Sequence, residues 1–267
     1  MARTMLDIKS IAKNQLRDYD AHDPGAALGR LGVKLDLDEG YRIQSLVCGL
    51  RQNRGEVTVG YKVGCNSPMP RRQLGISHSV YGRLYASEAW RSGVTLASDS
   101  FSSLAVEGEL AVKLATDLRA GDSAREAIES VFCVIELHNF LFHGEPTVGE
   151  LTASNAMHAG FVFAGESSRR LHPETENLQI VVDGETVASA SGPELSDTVI
   201  ESLTWLSKEL DSVGLDLKAG DTVLCGTVAP LLSVPSVCEV GVSTNHYGNV
   251  QCSFSKESDL DFISRQS

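Results

Sequence analysis

The segment Ala105-Val106-Glu107-Gly108-Glu109-Leu110-Ala111-Val112 decides how this chain is read. Its large apolar residues fall on even numbers, the period-two grammar of a strand, which puts Glu107 and Glu109 together on the opposite face. Carboxylates at i and i+2 on a strand sit roughly 7 Å apart at their Cα atoms, close enough to converge on one hard cation. Taken alone, the pattern also fits a solvated strand face. The strand is expected over residues 105 to 114.

A second stretch, Val131-Phe132-Cys133-Val134-Ile135-Glu136-Leu137, changes that balance. A nearly continuous apolar run marks a strand buried on both faces, and Glu136 lies inside it. An unpaired buried carboxylate costs several kcal/mol, so Glu136 must be protonated, ion-paired or bound to a metal. Glu107, Glu109 and Glu136 would supply half of an octahedral oxygen shell for Mg²⁺ or Mn²⁺, with positions left for water and a chelating 2-oxo acid.

Outward from these strands, the N-terminal stretch reads as helical. Ile43, Leu46, Val47 and Leu50 follow i, i+3, i+4 spacing after an Asp36/Glu39 capping pair. Alternation begins after Gly55, where Lys62 shares a strand face with Gly60 and Gly64 and stands in a notch suited to an oxyanion or carboxylate. Residues 65–82 read as a polar loop broken by Pro68, Pro70, Gly75 and Gly82. A short helix opened by Asp122 carries Ala127, Ile128 and Val131 on one side. Asp183-Gly184 signals a hairpin within Leu178 to Ala190, and a helix from about Asp197 to Val213 stops at Gly214. Strands at Thr222–Cys225, Ser236–Val242 and Val250–Phe254 follow. Many strands with interspersed helices give an α+β class, with residues 1–55 as an N-terminal helical segment and 56–267 as the catalytic domain.

Composition narrows the function. A net charge of -12 over 267 residues leaves no basic cluster for phosphates, which argues against a nucleic-acid partner. The longest apolar stretch, around Val131 to Phe142, is interrupted by Glu136, His138 and Asn139, so no membrane span is expected. The first thirty residues read as neither signal nor transit peptide. Six scattered cysteines without a C-x-x-C pair suit buried thiols in a reducing cytoplasm. The seven histidines, His138 and His143 among them, are dispersed and read as structural or loop residues.

Gly60-Tyr61-Lys62-Val63-Gly64, Ser67 to Gly75 with Arg71-Arg72-Gln73-Leu74-Gly75, Tyr81-Gly82-Arg83-Leu84, Glu107-Gly108-Glu109, Glu136, Ser154-Asn155-Ala156 with Gly160-Phe161-Val162, and Gly220-Asp221 through Gly226-Thr227 come in an order that resembles one family. It is the 2-keto-4-pentenoate hydratase and 4-oxalocrotonate decarboxylase family of the fumarylacetoacetate hydrolase superfamily, and the likeness covers nearly the whole chain. The resemblance implies a mixed β-rich roll preceded by helices. It further implies Glu107, Glu109 and Glu136 as metal ligands, Lys62 as the active-site lysine, and Arg72, Val80, Asn155 and Thr227 as substrate-binding residues. Such enzymes add water to, or remove carbon dioxide from, 2-hydroxydienoates and 2-oxo-enoates through a metal-stabilised dienolate, commonly as homo-oligomers.

Three positions depart from that pattern. Ser154 precedes Asn155-Ala156 where relatives often have Asp, the stretch before the last helix shortens to Ser191-Gly192-Pro193, and Val80 stands where hydratases tend to hold an acid. Water addition needs a proton-handling group, so Val80 leans the reading toward decarboxylation. The competing functions are a carbon–carbon hydrolase of the fumarylacetoacetate type, for which His138 is the nearby base, and a non-catalytic binding subunit.

Overall fold

The computed structural model describes residues 7–22, 28, 34–140, 142, 144–165, 168, 170–172, 174–227 and 229–258. His143 lies outside them. The helices are α1 (Ile8–Asp20), α2 (Leu37–Asn53), α3 (Pro68–Leu74), α4 (Ala124–Ala127), α5 (Val148–Ala153) and α6 (Pro193–Ser212). The strands are β1 (Thr58–Gly64), β2 (Val80–Tyr85), β3 (Ala89–Arg91), β4 (Val94–Ala97), β5 (Leu104–Leu114), β6 (Ile128–Asn139), β7 (His158–Phe163), β8 (Asn177–Val182), β9 (Glu185–Ser191), β10 (Thr222–Leu224), β11 (Leu232–Ser233), β12 (Cys238–Thr244) and β13 (Asn249–Ser255). They form a larger sheet in the order β2-β1-β10-β5-β6-β7-β3, with β11 also on β5, and a smaller one in the order β4-β13-β12-β8-β9.

The long β5–β6 antiparallel pair is the centre of the larger sheet. Its even-numbered β5 residues Val106, Leu110 and Val112, with Val131, Cys133, Ile135 and Leu137 of β6, face the smaller sheet through Ile180, Val240, Val242 and Phe254. Helix α6 closes this core with Leu195, Val199, Leu203, Leu206 and Leu210, all buried. Gly108 marks where the sheets press closest. A Cβ there would meet Ile180 Cγ1 and Val242 Cγ2, each at 2.9 Å. The other face of β5–β6 carries Ala111, Phe132 and Val134 in a second apolar cluster with Leu84, Phe161 and Leu224, and beside that cluster lie the glutamates.

Local chemistry accounts for most elements. Helix α2 starts on a true capping box, Asp36 Oδ1 accepting from Glu39 N at 2.9 Å while Glu39 Oε2 accepts from Asp36 N at 3.0 Å. The hairpin turns at Asp183 (φ 50) and Gly184 (φ 82), the left-handed pair that two-residue hairpins need. Two expectations are corrected. Residues 65–82 are not a polar loop, because Pro68 and Pro70 sit in the first turn of α3, where a missing N–H costs nothing, and Gly75 (φ 68) closes it. Val80 then begins β2, which is buried throughout. The helix placed after Asp122 is one turn long, since Ile128 and Val131 already belong to β6.

The N-terminal helices pack onto this body. Ile11 and Ala12 of α1 meet Ile43 of α2 and Ala153 of α5. Gln44 of α2 ties two elements at once, donating from Nε2 to Tyr81 O and Thr152 O, both at 3.0 Å. Arg51 stacks over the Tyr85 ring at 3.6 Å and pairs with Glu56 and Glu88. No helix among the described residues is long and apolar enough to cross a membrane.

Replacing Gly108 by Val puts a Cβ 2.9 Å from Ile180 Cγ1 and Val242 Cγ2, with its methyl groups crowded further into the neighbouring sheet. Overpacking of this kind costs about 1–3 kcal/mol. Urea unfolding of Gly108→Val should show that loss, and an unchanged midpoint would mean that the sheets yield there at no cost.

Candidate functional site

Antiparallel pairing places Glu107 directly opposite Glu136 across β5 and β6, with Glu109 two residues further along the same face. Opposed residues in such a ladder have Cβ atoms about 5 Å apart, so the two charges meet by construction. Lys62 arrives from β1, whose register sets it beside Leu224 and thereby in line with Ala111 of β5. Its Nζ reaches Glu136 Oε1 at 3.2 Å, both side chains being almost wholly buried. The expected notch is one-sided: a Cβ on Gly64 would come 3.4 Å from Lys62 Nζ, whereas the Gly60 side is filled by the carbonyl of Thr222.

Two histidines that the sequence reading treated as structural belong to the cluster. His138, opposite Ala105 on β6, brings Nε2 to 2.9 Å from Glu107 Oε2 and 3.5 Å from Glu136 Oε2. His158, at the start of β7, places Nδ1 2.7 Å from Glu136 Oε1. His138 has a signal in sequence, since it follows Glu136 by two along one strand and so shares its face. His158 has none, because it enters through β7 pairing across a register shift at Leu137/His138.

The charges are unbalanced. Burial opposes the charge on Glu136, but Lys62, His138 and His158 outweigh it and hold that carboxyl well below the usual carboxylate range. Burial also opposes the Lys62 charge, and Glu136, Glu107 and Glu109 overcome it and raise the ammonium pKa. Glu109 takes the opposite course: burial first, then the charge of Glu136, push it well above its ordinary value. Gly226 N donates to its Oε2 at 2.9 Å. Buried and without hydrogen-bond partners among the described residues remain Glu109 Oε1, Glu136 Oε2, both nitrogens of His138 and His158 Nε2. One ligand atom each from Glu107, Glu136 and His138 lies within 4.8 Å of the other two. Surplus negative charge, orphaned donor atoms and a hard oxygen-rich set fit a divalent cation. Glu107, at 18% side-chain exposure, is where the cluster opens to solvent.

The remaining expected residues divide. Val80 is buried among Leu151, Ala156 and, in part, Cys65 and Met157, and it lies opposite Gly64 in the β1–β2 ladder, so it walls the lysine end of the cluster. Thr227 donates from Oγ1 to Gly108 O at 2.8 Å and accepts from Ala229 N, which ties its loop to the strand of the two glutamates. Arg72 is not brought in. It is exposed on α3, while its neighbour Arg71 braces the same segment by donating to Cys65 O at 2.7 Å and Ser79 Oγ at 2.9 Å. Asn155 is engaged with the backbone. Its Oδ1 accepts from Arg83 N at 2.7 Å and its Nδ2 donates to Arg83 O at 2.8 Å, as a neighbouring strand would on the edge strand β2. Asn155, Ala156 and Met157 all have positive φ (57, 53 and 63), a strained turn that delivers His158 to its place.

A cavity of about 220 Å³ lies elsewhere, between Tyr19, Glu88, Trp90, Phe101 and Asn139, and none of the three glutamates or Lys62 lines it.

Comparison with known proteins places the sequence and the fold among solved and curated relatives. No family model matches the chain. A 2-keto-4-pentenoate hydratase of Burkholderia vietnamiensis is 26% identical over 262 residues, spanning 94% of this chain and all of that protein. The 4-oxalocrotonate decarboxylase of Pseudomonas putida G7, solved with magnesium and adipate, superposes with a TM-score of 0.86 at 19% identity, over 95% of this chain and all of that one. Fumarylpyruvate hydrolase of Pseudomonas aeruginosa, solved with Mn²⁺ and pyruvate, superposes at 0.56 and 15% identity over 76% of this chain and 97% of that one.

Two outcomes follow from the geometry. Glu136→Gln and Glu109→Gln should each abolish Mn²⁺ binding in calorimetric titration while the circular dichroism spectrum is kept, and retained binding in both would remove the cation from this cluster. Asn155→Ala strands a donor and an acceptor of Arg83, at about 1–3 kcal/mol for each buried group left unpaired. It should therefore lower the urea midpoint, and a variant with full stability but a raised KM would return Asn155 to substrate binding.

Proposed function

We propose that this chain, a homologue of the 2-keto-4-pentenoate hydratases with the fumarylacetoacetate hydrolase-superfamily fold, is a divalent-metal-dependent lyase acting on a small 2-oxo acid or 2-hydroxydienoate. The observation that carries the reading is the gathering of Glu107, Glu109 and Glu136 about Lys62 in a buried cluster where only Glu107 meets solvent. The chain is an enzyme of the hydratase and decarboxylase lineage.

The three glutamates are the residues that would hold the cation. When bound, it supplies a Lewis acid that stabilises negative charge developing on the 2-oxo oxygen of a chelated substrate. Everything else is done by the chain. The surrounding carboxylates favour the charged form of Lys62, and its Nζ is the buried cationic donor able to face an enolate oxygen. His158 and Lys62 both hold Glu136 Oε1, which fixes that carboxylate before any ligand arrives. Val80 and its apolar neighbours keep water from the lysine end. A dry wall there disfavours an attacking water and favours a charge-dispersing loss of carbon dioxide, so decarboxylation is the preferred version of the reaction.

A cytoplasmic homo-oligomer belongs to the same proposal. Cys48, Cys65, Cys225, Cys238 and Cys252 are free thiols, as a reducing compartment would leave them, and gel filtration tests the assembly.

The deciding experiment incubates Mn²⁺-loaded protein with 2-hydroxypenta-2,4-dienoate and with 4-oxalocrotonate, following the conjugated chromophore and carbon dioxide release. Carbon dioxide from the second substrate, without hydration of the first, is expected; efficient hydration of the first would overturn the preference for decarboxylation, and no turnover of either would overturn the lyase reading. Lys62→Ala should lower kcat at least tenfold, since one positioned charge at a developing oxyanion contributes a few kcal/mol. Val80→Asp should shift the partition toward water addition.

A further inference from the structure

We infer that His138 is itself a ligand of the cation beside the glutamates, so that the centre of this chain is a mixed nitrogen–oxygen site, with Glu107, Glu136 and His138 at its core, that favours first-row transition ions over Mg²⁺. The inference rests on the metal-dependent reading above and narrows it.

Three observations converge on His138. The imidazole is buried, 2% exposed, on the strand face it shares with Glu136. Its Nε2 lies 2.9 Å from Glu107 Oε2 and 3.5 Å from Glu136 Oε2, yet neither approach has hydrogen-bond geometry. A buried imidazole set that close to two carboxylates without a hydrogen bond to either is placed as a ligand atom would be. An octahedral cation with bonds of about 2.1 Å places adjacent ligand atoms about 3 Å apart, the spacing seen here. The third observation is the other oxygen of Glu136. His158 Nδ1 at 2.7 Å and Lys62 Nζ at 3.2 Å both engage Oε1, which leaves Oε2 turned to His138 with no hydrogen bond of its own. His158 is thus a positioning residue for a ligating carboxylate, the outer-shell arrangement that orients metal ligands generally.

Chemistry sets the preference. Mg²⁺ is satisfied by carboxylates, carbonyls and water, whereas an imidazole raises affinity for the later divalent ions along the series from Mn²⁺ to Co²⁺ and beyond. Replacing one oxygen by Nε2 therefore separates Co²⁺ and Mn²⁺ from Mg²⁺ more than three carboxylates alone would.

The test uses the full-length protein loaded with Mn²⁺ and reads electron spin-echo modulation from a directly bound nitrogen. The wild type should show that coupling, His138→Gln should lose it, and His158→Gln should keep it. By titration calorimetry His138→Gln should weaken Co²⁺ binding at least about tenfold while changing Mg²⁺ binding by less than about threefold. Mn²⁺ bound without nitrogen coupling overturns the inference and leaves the metal-dependent reading standing. Failure of the wild type to bind Mn²⁺, Co²⁺ or Mg²⁺ overturns that reading itself. A coupling lost only in His158→Gln assigns the nitrogen to the other imidazole and also overturns the inference. A wild-type spectrum without nitrogen coupling overturns the inference whether or not either variant folds.

Discussion

Everything in this protein is arranged around two carboxylates that a β-ladder forces to face each other. Glu107 and Glu136 are paired in register across β5 and β6, and like charges directly opposite destabilise a sheet. The conflict is worse for being buried. Lys62 from β1, His138 from β6 itself and His158 from the paired strand β7 are placed around Glu136, where they offset it. The two-sheet core exists to hold that register, and the helical layer exists to hold the elements that bring the offsetting groups.

That second task explains the polar wiring beneath the N-terminal helices. Gln44 fastens β2 to α5 through Tyr81 O and Thr152 O, and it accepts from Arg83 Nη1 at 2.6 Å. Gln15 reaches Ser154 Oγ at 3.0 Å. Asn155 then clips the strained 155–157 turn to Arg83. Gly82 makes room for the clip, since a Cβ there would stand 2.5 Å from Asn155 O. The strain at Ala156 and Met157 is thus held from two sides, and His158 follows directly on it.

Much of this was legible in sequence where the signal is local. Alternation around Glu107 and Glu109, the apolar setting of Glu136, the capping box of α2 and the Asp183-Gly184 turn are each written within a dozen residues. The pairing of Glu107 with Glu136 was not, because register between strands set by core packing has no local code. Helix α3 was missed because Pro68, Pro70 and Gly75 were weighed as breakers, when both prolines fall in its first turn and the glycine caps its end. Arg72 and Asn155 were carried over from a family pattern. The structure gives their places to solvent and to backbone support, distinctions that a motif cannot carry. His138 was discounted for its spacing from His143 when its spacing from Glu136 was the informative one.

Strand β5 has one further consequence. Its odd residues Glu107 and Glu109 face the cluster, while Val106, Gly108 and Leu110 face the neighbouring sheet, and Gly108 leaves no slack between the two layers. A single inserted or deleted residue would exchange the two faces, sending carboxylates into the apolar interior and valine into the site. The chemistry of this site can therefore be varied by exchanging side chains at fixed positions, or by altering loops at the rim, but not by changing the length of this strand.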